Sequence, residues 1–366
     1  MKKIGILTFH NADNYGALLQ AYALKKSLKD MGHNTHIINY YCPKLQRDYK
    51  IFKLPKFSIK DIIKQIIKYI FSPLSLYIRH KFKGFRRQYL SDTEPYYPDT
   101  ITNCSGKYDM FITGSDQVFN PRLTDYDRNY FLSFCKDKCK KFSYAASFGL
   151  ELSFLSNKDK QFLKENLKDF SAVSVREEEG NNIIKNLLSR ESEVNLDPTL
   201  LLKKEVWQKI AVAPEQKKYV LLYLMYNDKD IINFAKKIAK KNKCKVLFIS
   251  HCLDIKKRVP AEHITPSVQE WLGLFLNAEY IITNSFHGFA FSVNFNKKFF
   301  LGRLPNNWTV NSRLDNLLDL TGLHNRLYTN FKTDTDYDAD IDWQSVNDKL
   351  EAESQKSLNY LKEITK

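Results

Sequence analysis

The chain has 366 residues, more than one hydrophobic core usually supports, and this length predicts two domains. With 43% hydrophobic and 27% charged residues, its composition excludes an intrinsically disordered protein. The sequence contains no apolar run of about 20 residues to cross a bilayer, and polar residues interrupt the apolar stretch after the first lysines, so we expect a cytoplasmic protein.

The first half of the chain predicts a parallel α/β sheet. Residues 3–9 are typical of a buried strand, a polar turn follows, and residues 17–32 show helical spacing of apolar side chains that ends on Gly32. A second strand is expected over residues 33–41. Strand, turn, helix and strand at this spacing form a βαβ unit, which implies parallel strands.

The net charge of +16 is concentrated in one segment, residues 50–90, which holds eleven basic residues and a single acid. Isoleucines follow helical spacing over residues 58–71, with lysines on another face, and Pro73 ends the pattern. A second helix, basic and aromatic, is expected to run to Leu90. We interpret residues 50–90 as a basic amphipathic helical insertion in the first domain.

Strands and helices alternate again after the insertion. Strands are expected within residues 108–120, 140–149 and 170–180, with a helix over 159–169, and residues 194–202 end the first half. The second half predicts a strand over 218–225, a helix over 230–242, a strand over 244–250, a helix over 267–278 introduced by a Ser267–Glu270 capping box, and a strand, turn and helix over 279–295.

This order predicts two Rossmann-like domains with a cleft between them. We expect the first domain over residues 1–202, the second over 203–341 with its linker near 203–217, and a terminal helix over 342–366.

In open parallel sheets, ligands bind where strands end and loops turn into helices. Four such turns carry polar or charged residues. They are Asn14-Tyr15-Gly16, the turn that contains Ser115 and Asp116, the strand end at Arg176, and the turn from Asn284 to Gly288.

The turn from Asn284 to Gly288 has the clearest chemical rationale. A helix that begins near Gly288 would direct free backbone N–H groups at a ligand, and glycine would let an anion approach closely. Ser285 can donate a hydrogen bond, and His287 can supply a proton. The alternative is an ordinary helix cap beside a core histidine.

Two other positions also allow two interpretations. Arg176 is suited to clamp a carboxylate or phosphate, although the three glutamates that follow it could make it part of a surface salt-bridge cluster. Asp116 could act as a general base toward a hydroxyl, or could simply cap a turn.

Several site classes are excluded by missing motifs. The six cysteines include no Cys-x-x-Cys pair, so no metal site is expected. The sequence also lacks a Walker loop and a Gly-x-Gly-x-x-Gly fingerprint, which argues against a P-loop NTPase or a dinucleotide oxidoreductase.

Six segments in this order resemble the polysaccharide pyruvyltransferase family: NADNYGALLQAYAL, FITGSDQVFNP, SYAASFG, SVREEEG, DPTLL and ITNSFHGFAFSVNF. The resemblance implies two Rossmann-like domains in a GT-B-like arrangement. It implies an enzyme without a cofactor that moves the pyruvyl group of phosphoenolpyruvate onto two hydroxyls of a sugar in a cell-surface polysaccharide precursor. A cyclic ketal forms and phosphate leaves. Arg176 matches the family's donor-binding arginine, and His287 matches its general acid.

One departure concerns the donor site. Many members of the family have an arginine two positions before the histidine, where this chain has Ser285. One cationic contact to the donor is therefore missing unless Arg303, Arg313 or a lysine supplies it. Asp116 is expected to activate the acceptor.

The family resemblance also suggests partners. The expected acceptor is a lipid-linked oligosaccharide at the inner face of the plasma membrane, and residues 50–90 could contact anionic lipid there, each basic residue adding on the order of 1 kcal/mol. The alternative is that these isoleucines pack on the protein. A nucleotide-sugar glycosyltransferase and, less favoured, a polyanion-binding protein are the rival functions; no nucleic-acid module is recognisable.

Overall fold

The computed structural model of the protein describes residues 1–49, 72–137, 140–249, 261–305, 311–331, 337 and 339–366. Within these ranges the chain forms two main parallel sheets, one in each half of the sequence. The predicted α/β class with two Rossmann-like sheets is confirmed.

The first sheet is parallel throughout. Its strands are β1 Lys3–Leu7, β2 Asn34–Ile37, β3 Met110–Gly114, β4 Lys141–Tyr144, β5 Ser174–Val175 and β6 Glu193–Val194. The order is β2-β1-β3-β4, and isolated bridges from β4 add the β5–β6 pair at one edge. The two central strands, β1 and β3, are almost wholly buried, as their continuous apolar runs predicted.

The helices of the first half are α1 Tyr15–Asp30, α2 Pro43–Tyr49, α3 Ser72–Phe85, α4 Pro121–Thr124, α5 Asn157–Leu167 and α6 Glu178–Leu188. α1 connects β1 to the parallel strand β2, which confirms the predicted βαβ unit. Its N-cap is Asn14, whose side-chain oxygen accepts a hydrogen bond from the backbone N–H of Ala17 at 3.1 Å.

The second sheet has the order β11-β10-β7-β8-β9, again parallel. Its strands are β7 Tyr219–Tyr223, β8 Lys245–Ile249, β9 Glu262–Ile264, β10 Tyr280–Thr283 and β11 Phe299–Leu301. Its helices are α7 Lys204–Gln208, α8 Lys229–Lys241, α9 Val268–Asn277, α10 Phe286–Asn294 and α11 Ser312–Thr321. The predicted Ser267–Glu270 capping box is present at the start of α9.

The two halves share one continuous hydrophobic cluster. Tyr15, the first residue of α1, stacks on Trp271 of α9 with ring centroids 5.6 Å apart, and its hydroxyl donates to the carbonyl of Pro266 at 2.8 Å. The terminal helix α12, Trp343–Ile364, crosses back to the first sheet, where the Tyr360 hydroxyl donates to the carbonyl of Ser143 at 2.9 Å.

Part of the basic segment packs between the two halves. α3 continues into one π-helical turn, Arg86–Leu90, and Phe82 and Phe85 are buried. Lys81 donates to the carbonyl of Thr265 at 3.0 Å and pairs with Glu270 of the second half at 3.1 Å.

Other charges on α3 and on its π-helical turn are also neutralised within the protein. Arg86 pairs with Asp13 at 2.9 Å, and Arg79 approaches the same carboxylate at 3.3 Å. The predicted isoleucine-striped helix over residues 58–71 lies outside the described residues. The inner face of α3 itself packs on the protein. In the described parts of the chain, no helix combines the length and the apolar character that crossing a membrane requires.

Candidate active site

A cavity of about 350 Å³ lies between the two sheets, at the carboxyl ends of their strands. The two halves enclose it in the GT-B-like arrangement that the sequence predicted. Its polar wall includes Asn14, Asp116, Gln117, Asn284, Ser285, His287 and Arg313. Its apolar wall includes Phe9, Leu45, Leu123, Phe286 and Leu304.

The turn from Asn284 to Gly288 forms one side of this cavity. Ser285 is the N-cap of α10, and its hydroxyl accepts from the backbone N–H of Gly288 at 3.4 Å. The helix therefore begins at Phe286, two residues before the predicted start near Gly288. Ser285 lies at the cavity wall, as predicted for a substrate-binding residue, and it also caps the helix.

Gly288 has a different role from the predicted one. A Cβ at this position would lie 2.3 Å from Oγ1 of Thr283 and 3.0 Å from a ring carbon of Tyr223. Glycine is required because α10 packs tightly on β10 and β7, and Gly288 is not among the residues that line the cavity.

His287 is almost buried and is held between the two halves of the chain. Its Nε2 atom lies 3.6 Å from Oδ2 of Asp197, longer than a hydrogen bond. Its ring packs on Gly16 of α1, where an added Cβ would lie only 2.0 Å from Nδ1. Gly16 therefore supports the histidine and does not itself line the cavity, contrary to its predicted role in substrate binding.

Asp197, a residue with no role predicted from the sequence, is the centre of the buried network. Its Oδ2 accepts from Nη1 of Arg176 at 2.7 Å and from the Ser115 hydroxyl at 3.3 Å, and its Oδ1 accepts from the backbone and hydroxyl of Thr199 at 3.0 and 2.7 Å. Burial alone would raise the pKa of Asp197, but nearby His287 and Arg176 and the bond from Thr199 outweigh burial and hold this pKa well below its usual value. The carboxylate is therefore ionised.

Arg176 is buried behind the cavity wall, so the surface salt-bridge alternative is wrong. Its guanidinium lies 4.7 Å from the centroid of the Phe286 ring, and its Nε is 3.8 Å from Oε2 of Glu177. Burial lowers the pKa of Arg176, but the charges of Asp197, Glu177 and Asp116 raise it above its usual value. Among the described residues, its Nε and Nη2 atoms have no hydrogen-bond partner.

Arg313 is the cationic side chain at the cavity wall in the described part of the chain. Its guanidinium lies 6.0 Å from the Phe286 centroid, and its Nε finds no hydrogen-bond partner within the described ranges. Burial and the charge of Arg176 lower the pKa of Arg313 to about 10, so it stays protonated at neutral pH. Arg303, another expected replacement for the missing arginine, is instead paired with Asp315 at 2.6 Å.

The remaining predicted residues divide into two groups. Asn14 and Asp116 line the cavity, and the Asp116 Oδ1 accepts from the backbone N–H of Gln117 at 2.9 Å. Tyr15 and Ser115 lie behind it. Tyr15 is buried against Trp271, so its predicted role in substrate binding is wrong; Ser115 acts through its hydrogen bond to a buried carboxylate.

No group of three or more His, Cys, Asp or Glu side chains is placed to hold a metal ion in the ranges that the structure describes.

Several solved structures have a similar chain path at low sequence identity. UDP-GlcNAc 2-epimerase from Neisseria meningitidis bound to UDP-GlcNAc matches with a TM-score of 0.44 and 12% identity, over 98% of this chain and 100% of that one. The S. aureus MnaA–UDP co-structure matches with a TM-score of 0.49 and 13% identity, over 99% and 96%. The E. coli heptosyltransferase WaaC with ADP matches with 0.37 and 8%, over 84% and 89%. No curated protein matches the sequence.

The sequence itself identifies the family. The model for the family described as polysaccharide pyruvyl transferase, a family of transferase enzymes, matches residues 14–301. The matched range contains Arg176, Asp197 and His287, whereas Arg313 follows it. The resemblance seen in the sequence is confirmed, and the chain belongs to the polysaccharide pyruvyl transferase family.

Proposed function

We propose that the protein transfers the pyruvyl group of phosphoenolpyruvate to two hydroxyls of a sugar in a cell-surface polysaccharide precursor. One observation carries this proposal: Arg313 reaches the cavity wall near the Phe286 ring, and Arg176 lies behind the wall against the same ring. Both guanidinium groups have nitrogen atoms that the described residues leave unpartnered. Unpaired buried donors of positive charge favour an anionic ligand, and phosphoenolpyruvate carries a carboxylate and a phosphate.

Arg313 supplies the cation that is missing at Ser285. It reaches the cavity wall from α11, and its lowered pKa reflects burial and repulsion by Arg176. A bound anion relieves both effects, because it pairs with the charge and replaces lost solvation. Binding of the donor therefore raises the pKa of Arg313 back toward its usual value.

The reaction needs one proton donor and one proton acceptor. His287 gives a proton to C3 of the enol, and the first sugar hydroxyl adds to C2 while Asp116 accepts its proton. The bond from C2 to the phosphate oxygen then breaks, and the second hydroxyl closes the ketal. One of the two hydroxyl protons replaces the proton that His287 gave to C3, and the other leaves on the phosphate. The reaction therefore balances without an oxidant or cofactor.

Calorimetric titration with phosphoenolpyruvate tests the donor site without requiring the acceptor. We expect Arg313→Gln to lose about 2 kcal/mol or more, roughly a thirtyfold rise in Kd, because a buried charge pair is removed. Arg128→Gln is the matched control, since Arg128 is exposed and lies 3.8 Å from Glu165. Phosphate release in the presence of sugar acceptors then tests transfer.

Two results would contradict the proposal. Binding of a nucleotide sugar such as UDP-glucose, with no binding of phosphoenolpyruvate, would favour the rival glycosyltransferase. Equal affinity of Arg313→Gln and the unmodified protein for phosphoenolpyruvate would show that Arg313 is not the donor's partner.

We also propose that the acceptor is a lipid-linked oligosaccharide at the inner face of the plasma membrane. Residues 50–90 would contact the membrane there. The outer face of α3 supports this contact. Leu76 and Tyr77 are 53% and 52% exposed on this helix, and Lys83 in α3 and Arg87 in the turn after it are exposed cations. Apolar side chains flanked by cations suit the headgroup region of an anionic bilayer.

Co-sedimentation with phosphatidylglycerol vesicles tests this contact. We expect Leu76→Ser combined with Tyr77→Ser to weaken binding several-fold, since two apolar side chains no longer insert. Phe154→Ser is the control, because Phe154 is 46% exposed and lies outside α3 and the turn that follows it. Unchanged binding of the double variant, or no binding of the unmodified protein, would exclude membrane contact by this face.

A further inference from the structure

Asp197 occupies a position that the proposed chemistry does not yet use. It is fully buried, it is ionised, and it comes from the first half of the chain, whereas His287 comes from the second. Its Oδ2 atom lies 3.6 Å from Nε2 of the histidine. Nε2 is itself shielded from solvent and has no hydrogen-bond partner among the described residues.

The other ring nitrogen of His287 is in a different environment. Nδ1 lies over Gly16, whose missing Cβ leaves room for the ring, and the side chain lines the cavity. A carboxylate opposite one nitrogen fixes which nitrogen carries the proton in the neutral ring, as a second partner does for histidines generally.

We propose that Asp197 is the positioning residue that orients His287, with Nε2–H directed at its carboxylate and Nδ1 left to exchange the proton with the substrate. This inference rests on the pyruvyl transfer proposed above and specifies the atom that performs the proton transfer.

A second contact holds α10 against the segment that contains Asp197. Asn294, at the far end of α10, donates its side-chain amide to the carbonyls of Thr199 and Leu202 at 3.1 and 2.9 Å. The C-terminal end of the helix that carries His287 is thus tied to the segment that begins with Asp197. Because these bonds hold the helix against that segment, the backbone of His287 cannot move away from Asp197 without losing them.

Arg176 and Ser115 keep the carboxylate in place. Both donate to the same Oδ2 that faces the histidine, at 2.7 and 3.3 Å. A carboxylate held by a guanidinium remains ionised and does not take the proton of the imidazole. The three side chains therefore orient His287 while it serves as the acid.

Nitrogen-15 NMR of the imidazole rings in the full-length protein tests the orientation without turnover. In the neutral ring, we expect the spectrum of the unmodified protein to show His287 protonated on Nε2, with the signal assigned by its loss in His287→Gln. Asp197→Asn should remove this preference, so that the two nitrogen shifts move toward each other. Asp159→Asn is the matched control, because Asp159 is another buried carboxylate, paired with Arg122 at 2.7 Å.

The outcomes separate this inference from the proposed function. Protonation on Nδ1 in the unmodified protein would overturn the inference even if Asp197→Asn failed to fold, as would an unchanged tautomer in Asp197→Asn. Where turnover is measured, we expect kcat to fall at least about 100-fold in Asp197→Asn and little in Asp159→Asn. Absence of any turnover with phosphoenolpyruvate would instead refute the pyruvyl transfer and leave the tautomer to decide the role of Asp197.

Discussion

Gly288 can be tested by adding a single methyl group. In Gly288→Ala, the new Cβ would lie 2.3 Å from Oγ1 of Thr283 and 3.0 Å from its Cβ and from a ring carbon of Tyr223. The Thr283 hydroxyl cannot simply turn away. It donates to the carbonyl of Tyr223 at 2.6 Å and accepts from the backbone N–H of Ser285 at 3.0 Å.

The energetic terms have opposite signs. Alanine improves the helix propensity of α10 by about 1 kcal/mol. Overpacking costs about 1–3 kcal/mol, and displacing the Thr283 hydroxyl loses two hydrogen bonds worth about 1 kcal/mol each. We therefore expect Gly288→Ala to lower the free energy of unfolding by about 2–4 kcal/mol.

Urea unfolding monitored by tryptophan fluorescence measures this loss. The control is Gly84→Ala in α3, where an added Cβ meets no atom within 4 Å and should stabilise by up to about 1 kcal/mol. Because His287 precedes Gly288, we also expect kcat to fall roughly tenfold or more. If Gly288→Ala is as stable as the unmodified protein, the tight packing of α10 on its sheet is not what requires glycine here.

Three further predictions follow from other contacts. Phe286→Leu removes the ring over which the guanidinium groups of Arg176 and Arg313 lie. Calorimetry should show the Kd for phosphoenolpyruvate rising roughly three- to thirtyfold. An unchanged Kd would contradict a role for the ring in holding the two guanidinium groups. Tyr15→Phe leaves the Pro266 carbonyl without its hydroxyl donor and should lower the free energy of unfolding by about 1–3 kcal/mol in urea, whereas superimposable curves would contradict this. The pKa of Asp197 is depressed in the folded state, so its ionised carboxylate stabilises the fold above the unfolded pKa of about 3.9, and this stabilisation is lost as the pH falls below that value. Thermal unfolding from about pH 6 to 3 should therefore show a smaller loss of stability with acid in Asp197→Asn than in the unmodified protein. Equal losses in the two proteins would exclude this role.

The fold was predictable because local patterns determine it. The apolar runs at Tyr219–Tyr223 and Tyr280–Thr283 became buried parallel strands, and the Ser267–Glu270 capping box formed as expected. These features depend on residues within a few positions of each other. The start of α10 was misplaced by two residues because both Ser285 and a glycine are plausible helix-start signals, and only packing decides between them.

The candidate site was predictable only in part. His287, Asp116 and Arg313 line the cavity as expected, since each follows a strand or begins a helix at the same edge of a sheet. Asp197 was missed because its partners Arg176 and His287 lie 21 and 90 positions away, and no local pattern connects them. The local sequence feature that could have pointed to Asp197 is the Asp-Pro-Thr turn that it begins at the end of a strand.

The return of α12 to the first sheet has a consequence for how the chain can be divided. Its Ser357 hydroxyl accepts from the backbone N–H of Leu196, and its Tyr360 hydroxyl donates to the carbonyl of Ser143. The first half of the molecule is therefore built from two separate stretches of sequence. A chimera that exchanges this half with that of a related enzyme must carry residues 342–366 along with residues 1–202. With a single crossover after residue 202, the first sheet of one enzyme would pack against the terminal helix of the other.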